Sequence, residues 1–194
     1  MVRGSAGADV SGRHGRVGTV SVPSEWQATT RLSLRPPTPV DAPAVLRILS
    51  DDSVVRYNPS DRVEELSEVE AVLQRWLEHW SHHDFGNCCV FERETGRLIG
   101  NCGVRRMTVH AAPVLNLMYR FHPSAWGRGY ATEAALAVLD WASRSLPGEI
   151  VLARVRPENA ASQAVARRIG LRRDPLFDDQ GKDGLDWAFT NRPQ

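Results

Sequence analysis

The segment from Tyr119 to Ala134 constrains the fold more than any other part of the chain, because its pattern predicts a strand, a turn and a helix in direct succession. The turn contains Gly127 and Gly129. The first turn of a helix carries backbone N–H groups that have no partner within the helix, and the helix dipole makes this end positive. Glycines leave these amides open to an anion, so the segment predicts a pyrophosphate site built from main chain.

Three kinds of nucleotide ligand use such a site. ATP- and GTP-binding loops need a Gly-Lys-Ser/Thr sequence, which is absent here. The dinucleotide fingerprint GxGxxG fails at its last glycine, where Thr132 stands. Only about 65 residues follow the turn, too few for the rest of a doubly wound sheet. Coenzyme A is the candidate that remains.

The rest of the chain predicts a mixed α/β (α+β) domain around one sheet, with the order β-α-α-β-β-β-α-β-α-β-β. The predicted strands are 30–35, 87–91, 98–107, 113–121, 150–155, 171–173 and 185–190. The predicted helices follow a capping Thr38, begin at Ser67, and span 130–144 and 159–169. A chain of 194 residues has room for one domain and a tail, which we expect to divide into a flexible tail at 1–24 and a domain at 25–194.

Charge and hydropathy exclude several classes of protein. The chain has 24 basic and 23 acidic residues and a net charge of +1, so it lacks the basic field of a general nucleic-acid-binding protein. An RNA contact through Arg3, Arg13 and Arg16 of the tail is a weaker alternative. No apolar run is long enough to span a bilayer, and the first residues do not resemble a signal peptide. We therefore expect neither membrane insertion nor export.

The cysteine count favours a cytoplasmic protein. The chain contains three cysteines: Cys88, Cys89 and Cys102. An odd number fits poorly with a disulfide framework, and no metal-ligand spacing accompanies them. We expect reduced thiols packed in the interior and no metal site.

Three blocks of sequence resemble the GCN5-related N-acetyltransferases (GNAT). The string HPSAWGRGYATEA is similar to motif A of that family, with Gly129 and Ala131 at its last two positions and Trp126 at its first. A tryptophan–glycine form of this motif is typical of the RimJ/RimL branch, which acetylates the N-termini of ribosomal proteins. The block 159–171 and the opening 31–42 resemble the same branch, so the resemblance covers about residues 29 to 191. It implies the acyl-CoA N-acyltransferase fold: a mostly antiparallel sheet with one splayed strand pair, flanked by helices.

The resemblance also implies a coenzyme site. Its residues would be Tyr119, Arg120, Phe121, Gly127, Arg128, Gly129, Tyr130, Ala131, Thr132 and Asn159. The strands at 115–121 and 150–155 would splay to admit the pantetheine arm, which pairs with the backbone of the first three of these residues. The amides of 127–132 would hold the pyrophosphate. Asn159 would contact the pantetheine or the thioester region.

The proton donor to the leaving thiolate is implied to be Ser162. Many relatives use a tyrosine at the position of Ala166, and that donor is missing here. The alternative is purely structural: Asn159 caps a helix, and Ser162 satisfies an amide of its first turn.

The general base is not fixed by the sequence. Many relatives carry a glutamate where this chain has Asn116, and an amide side chain cannot take a proton. Polar residues predicted at the mouth of the cleft, which could serve as the base, are His82, His83, Asp84 and Glu92, but polar side chains of this kind are more often solvated surface groups. Glu133 matches the family block and also suits the positive end of a helix.

The resemblance implies an acetyl-CoA-dependent N-acetyltransferase that acts on a primary amine, with a protein or peptide α-amine as the leading acceptor. Two alternatives stay open: a small-molecule amine such as an antibiotic or metabolite, and a non-catalytic acyl-CoA-binding protein. Acetyl-CoA would be the co-substrate and no metal would take part. The sequence is compatible with a homodimer and does not fix the oligomeric state.

Overall fold

A computed structural model describes residues 25–193. The strands are β1 (Gln27–Ala28), β2 (Leu32–Arg35), β3 (Asn87–Glu92), β4 (Leu98–Val109), β5 (Ala112–Phe121), β6 (Val151–Val155), β7 (Arg172–Arg173), β8 (Asp179–Gly181) and β9 (Gly184–Thr190). The helices are α1 (Ala42–Leu49), α2 (Asp52–Val55), α3 (Leu66–His83), α4 (Tyr130–Ser145) and α5 (Ala160–Arg168). The predicted tail at 1–24, with its three arginines, lies outside the described residues.

The sheet is antiparallel except at one pair of strands. Its order is β1-β2-β3-β4-β5-β6-β9-β7, with β8 paired to β9. Among the strands of residues 25–193, only β5 and β6 run parallel, and they pair at just two positions, Leu115 with Val151 and Asn116 with Leu152. Both strands then continue without pairing to each other. The predicted splayed strand pair and the mostly antiparallel sheet are therefore confirmed.

Helices cover both faces of this sheet. On one face α4 and α5 pack on the main apolar cluster, which includes Leu115, Val138 and Ala166. On the other face α1 and α3 cover a second cluster around Cys89. A third cluster on that second face surrounds Leu152, under the short 3₁₀ helix that follows β7. Between the second and third clusters, no helix of residues 25–193 packs an apolar cluster onto this face of the sheet.

The predicted elements are present, and the differences are local. β1, α2 and β8 were not predicted, because elements this short carry no hydrophobic period. Thr38 precedes a 3₁₀ helix at Pro39–Asp41 rather than an α-helix. Thr38 is its N-cap, Pro39 stands at the first helical position, and the Asp41 carboxylate accepts from the Thr38 N–H at 2.7 Å and hydroxyl at 2.9 Å, so the predicted threonine cap is confirmed.

The three cysteines are free and buried, as their number predicted. Cys88 and Cys102 lie opposite each other on β3 and β4. Burial raises the pKa of all three thiols, so they stay protonated and pack as small apolar groups. None of the helices in residues 25–193 is long and apolar enough to cross a membrane.

Candidate active site

A cleft of about 1480 Å³ runs from the start of α4 through the gap between β5 and β6 to the face that carries α1 and α3. Of the residues predicted to bind the coenzyme, those that line this cleft are Tyr119, Arg120, Phe121, Gly127, Gly129, Tyr130, Ala131, Thr132 and Asn159. Ser162 lines it as well. Arg128 does not, because its side chain turns back toward Glu92 at 3.2 Å and lies over the Tyr130 ring.

The loop before α4 offers a continuous row of free main-chain donors. None of the backbone N–H groups of residues 127–132 has a hydrogen-bond acceptor within the described part of the chain. Gly129 is the N-cap residue of α4, and no side chain caps the helix. Its φ is +78° and that of Gly127 is +72°, a region that other residues enter only with strain.

The space above these amides is open. A Cβ atom at Gly127 would meet nothing within 4 Å, and one at Gly129 would meet only the Arg31 guanidinium at 3.6 Å. A positive helix end with free amides and open space fits a pyrophosphate. These residues therefore fit the coenzyme that the sequence predicted.

Two contacts hold this loop against the sheet. The Trp126 indole N–H donates to the Phe121 carbonyl at 2.8 Å, while half of the side chain stays exposed. The Tyr130 hydroxyl donates to the buried Glu92 carboxylate, which also accepts from Thr95 at 2.7 Å. The loop is thus braced from the strand side, and its amides remain free.

Glu133 anchors the first turn of α4 to the start of the sheet. Its carboxylate accepts from the Thr29 hydroxyl at 2.5 Å and from the Arg31 backbone N–H at 3.0 Å, and it pairs with the Arg31 guanidinium at 2.6 Å. Burial alone would raise the pKa of Glu133, but these bonds lower it below its ordinary value overall. Besides matching the helix dipole, Glu133 therefore fixes where α4 begins.

The start of α5 meets the same cleft in a different way. The Asn159 side-chain oxygen accepts from the Ser162 N–H at 3.0 Å, so Asn159 is the N-cap. The Ser162 hydroxyl itself has no hydrogen-bond partner among residues 25–193. Half of the structural alternative is thus observed: Asn159 caps the helix, but the Ser162 hydroxyl is not used for capping.

Tyr119 joins β5 to the first turn of α5. Its hydroxyl donates to the Ser162 carbonyl at 2.8 Å across the gap between the splayed strands. Burial raises the pKa of Tyr119 well above its ordinary value, so the phenol stays a neutral donor. Tyr119 therefore sets the position of Ser162 relative to β5.

The residues predicted at the mouth of the cleft do not line it. His82, His83 and Asp84 are exposed at the C-terminal end of α3, and Glu92 is buried behind the loop. His79, which was not predicted, does line the cleft. Its Nδ1 lies 2.8 Å from the Phe85 carbonyl and its Nε2 accepts from the Arg106 N–H at 3.0 Å, so neither nitrogen is free to take a proton.

Side chains that the sequence did not single out form the other half of the cleft. They include Asn87, Asn101, Arg105, Arg154, Arg156, Asp183 and Asp186, and they surround Asn116, which the sequence had singled out. Ser60 donates from its N–H at 3.0 Å and its hydroxyl at 2.7 Å to Asp183, which ties the 3₁₀ helix at Pro59–Asp61 to the β8–β9 turn.

One sequence signal of this half of the cleft is Asn101, which interrupts the buried run of β4 at a position where an apolar residue is expected. Within the described residues no cluster of His, Cys, Asp or Glu could hold a metal ion.

The comparisons with known proteins agree on one family, the acetyltransferases. The acetyltransferase (GNAT) domain family matches residues 31–172. An acetyltransferase of Agrobacterium tumefaciens is 28% identical, with a TM-score of 0.72 over 94% of this chain and 100% of that one. The uncharacterized N-acetyltransferase p20 of Bacillus licheniformis is 25% identical over 154 residues, or 79% of this chain and 86% of that protein. RimL, a ribosomal L7/L12 α-N-protein acetyltransferase solved with coenzyme A, is 16% identical with a TM-score of 0.70, over 84% of this chain and 94% of that one.

Proposed function

Since the chain belongs to the GNAT acetyltransferase family, we propose that it transfers the acetyl group of acetyl-CoA to the α-amine of a protein or peptide. The observation that carries the proposal is the uncapped N-terminus of α4, whose free amides face a cleft that passes between the splayed strands. A helix end of this kind binds phosphate groups, and a gap between two strands admits an extended chain such as pantetheine.

The pyrophosphate would bind the amides of residues 127–132. From there the pantetheine arm would extend into the gap between β5 and β6, along the edge of β5 that has no strand partner beyond Asn116. The backbone of Tyr119 and Arg120 would supply its hydrogen bonds. Arg128 would take part through its main chain alone, since its side chain pairs with Glu92.

Acetyl-CoA supplies a thioester: the amine nitrogen bonds to its carbonyl carbon, the carbon–sulfur bond breaks, the sulfur gains one proton and the nitrogen loses one. Ser162 would donate the proton to the sulfur and regain one from the water that takes up the proton of the amine. It is suited to this because it lines the cleft and its hydroxyl has no hydrogen bond among residues 25–193. Tyr119 would hold it in place through the Ser162 carbonyl. An amide N–H at the unpaired edge of β5 would stabilise the oxyanion.

The amine must lose its proton before it attacks. Asn116 cannot accept it. The carboxylates that line the cleft near the arginines of β5 and β6, Asp61 and Asp186, are already paired with Arg120 and Arg154 at 2.6 Å. Water is therefore the proton acceptor that we propose, with the surrounding arginines favouring the neutral amine, because a like charge lowers the pKa of an ammonium group.

A protein or peptide acceptor is supported by the resemblance to the RimJ/RimL branch and by the shared fold of RimL. The proposal is tested by incubating the protein with isotope-labelled acetyl-CoA and a size-fractionated bacterial lysate. Mass spectrometry then reads out where the label is. We expect it on protein N-termini.

Other distributions of the label contradict the proposal in different ways. Label only in the small-molecule fraction would keep the reaction and replace the acceptor by a small amine. No label above background, with coenzyme A still bound in calorimetry, would replace the enzyme by a non-catalytic binding protein. We also propose that residues 25–194 form the N-acetyltransferase domain and that the protein works in the cytoplasm.

A further inference from the structure

A polar floor divides the two apolar clusters on the α1–α3 face of the sheet. We define it by Asn101 and Arg105 on β4, Asn116 and Arg120 on β5, and Arg154 on β6, all of which line the cleft. Asn101 lies opposite Arg120, and Arg105 opposite Asn116, so these side chains point to the same face. Polar side chains in the middle of a sheet face are expensive to bury and indicate a binding surface.

Asn101 is the clearest anomaly of this floor. It is 0% exposed, and neither its side-chain oxygen nor its side-chain nitrogen has a hydrogen-bond partner among the described residues. On β3, Asn87 lies opposite Gly103 and on the same face, and its side-chain oxygen is buried without a partner among the described residues as well. Buried amides are almost always paired, so these three unpaired atoms indicate a site that binds a polar group. An amide can accept from an amine and donate to a carbonyl or carboxylate.

Arg105 is the arginine of the floor whose side chain forms no ion pair among residues 25–193. Arg120 pairs with Asp61 and Arg154 pairs with Asp186, each at 2.6 Å. The Arg105 side chain makes no hydrogen bond in this part of the chain either, and the carboxylate that acts on it electrostatically, Asp61, is paired with Arg120. The side chain is exposed toward the cleft. Desolvation and then the like charge of Arg154 lower its pKa more than Asp61 raises it, and a bound anion would act in the same direction as Asp61.

The phosphates of the coenzyme cannot be that anion. The free amides that fit them begin at Gly127, beyond the end of β5 at Phe121. Arg105 lies beside Asn116, where β5 and β6 still pair. From Asn116 to Phe121 the strand extends about 16 Å at the usual rise per residue. Arg105 is therefore at the opposite end of the gap, where the acetyl group would be.

We propose that the acceptor is an anionic amine, in which a carboxylate lies a few bonds from the reacting amine and binds Arg105 while Asn101 pairs with the polar atoms between them. This inference rests on the proposed acetyl transfer and names its substrate class. For a peptide acceptor the carboxylate is an aspartate or glutamate side chain at the N-terminal residue. The same chemistry occurs in a free amino acid, whose α-carboxylate is adjacent to its amine.

The test compares acceptors that differ only in charge. Peptides that begin with Asp, Asn or Lys and are otherwise identical, together with free glutamate, are assayed for kcat/KM by mass spectrometry of the acetylated product. We expect the Asp peptide to exceed the Asn peptide by about tenfold or more, because a charge-assisted hydrogen bond is lost with the carboxylate. Free glutamate above the Asp peptide would assign the carboxylate to an amino acid, and the reverse order would assign it to a peptide.

Two variants locate the effect. Arg105→Gln should reduce the ratio of kcat/KM for the Asp peptide to kcat/KM for the Asn peptide to about one. Arg106→Gln is the matched control, since Arg106 follows directly on β4 but pairs with Glu149 and does not line the cleft; it should keep the ratio of the unmodified protein. Calorimetry with coenzyme A verifies that each variant retains its coenzyme site.

The outcomes that overturn the inference differ from those that overturn the proposed function. Acetylation of all peptides with equal kcat/KM, or a ratio that survives Arg105→Gln, would exclude the anionic acceptor and leave acetyl transfer intact. The absence of any product would contradict the proposed function. In that case the binding of the N-acetylated Asp peptide, measured by calorimetry against its Asn counterpart, still decides whether Arg105 recognises a carboxylate.

Discussion

Two helices begin at the cleft, and they use their N-termini in opposite ways. α4 begins at Gly129, which has no side chain, and six amides of the loop and first turn stay without a partner. α5 begins at Asn159, whose side chain takes up the Ser162 amide. The first helix therefore offers main-chain donors to a ligand, whereas the second satisfies its own donor and leaves a side-chain hydroxyl free.

The residue at the N-cap decides between these two outcomes. A capping side chain competes with a ligand for the same amides, so a helix end that binds an anion is best left uncapped. Such an end must then be positioned from elsewhere. Glu133 and Trp126 do this for α4, while the Tyr119 hydroxyl does it for α5 from the strand side.

The sharpest test of this contrast is Ser162→Ala. If the free hydroxyl of α5 protonates the thiolate, kcat should fall about a hundredfold, which is the usual contribution of a positioned acid. The affinity for coenzyme A should stay the same. Ser143→Ala on the exposed side of α4 is the matched control. A kcat within twofold of the unmodified protein would remove Ser162 from the mechanism.

Gly129→Val tests the other helix. The valine side chain would enter the open space above the amides, and we expect coenzyme A to bind at least about tenfold more weakly. Gly148→Val is the control for backbone strain, because Gly148 has a similar φ of +85°, equally open surroundings and no place in the cleft. Equal affinities in both variants, measured by calorimetry, would contradict the anion site.

Tyr119→Phe asks whether the position of α5 matters as well as its hydroxyl. The substitution removes one hydrogen bond to the Ser162 carbonyl while the ring is kept, which costs about 1 kcal/mol of stability. We expect kcat to fall several-fold and the KM for acetyl-CoA to change little. A lower melting temperature with an unchanged kcat would mean that Tyr119 only stabilises the fold.

Asn159 separates capping from ligand binding. Asn159→Ala should lower the free energy of unfolding by about 1 kcal/mol, and Asn159→Asp should restore it, because a carboxylate caps as well as an amide. Asp has no N–H to donate, so the affinity for coenzyme A should recover only if the amide nitrogen makes no contact with the pantetheine. We expect stability to recover and affinity not to.

The smallest effect is expected for Glu133→Gln. The folded pKa of Glu133 is below its ordinary value, so the carboxylate stabilises the fold above about pH 4.3, its unfolded pKa, and this contribution is lost as the pH falls through the folded pKa. At neutral pH we expect a loss of about 0.5 kcal/mol, given partial exposure to solvent. Urea unfolding curves of the two proteins should converge in acid, and those of Glu70→Gln, on the exposed side of α3, should coincide with the unmodified protein throughout.

Local patterns predicted the coenzyme half of the site. α4 was expected at 130–144 and spans Tyr130–Ser145, and the helix expected at 159–169 spans Ala160–Arg168 with Asn159 as its cap. Caps, glycine turns and helical periods act over a few residues, so the sequence displays them directly. The roles assigned to Ser162 and to the coenzyme-binding residues stay predictions.

The other half of the cleft depends on partners far apart in sequence. Arg128 was counted with the coenzyme site, but its side chain follows Glu92, a residue on β3. Of the polar residues expected at the cleft mouth, those of α3 lie at its exposed C-terminal end, outside the cleft, and Glu92 is buried behind the loop that precedes α4. A short stretch of sequence does not indicate which charged side chain forms an ion pair with a residue on another strand of the sheet.

The sequence by itself thus determined the family, the order of elements and the helix end that fits a pyrophosphate, because each is a pattern of neighbouring residues. Only the tertiary structure decided that Asn101 and Arg105 face the same cleft as Ser162, and that the Arg105 side chain forms no ion pair among residues 25–193. Strand register brings these residues together, and the competition of every nearby arginine for a few carboxylates determines which one is unpaired. Both are properties of the folded sheet as a whole.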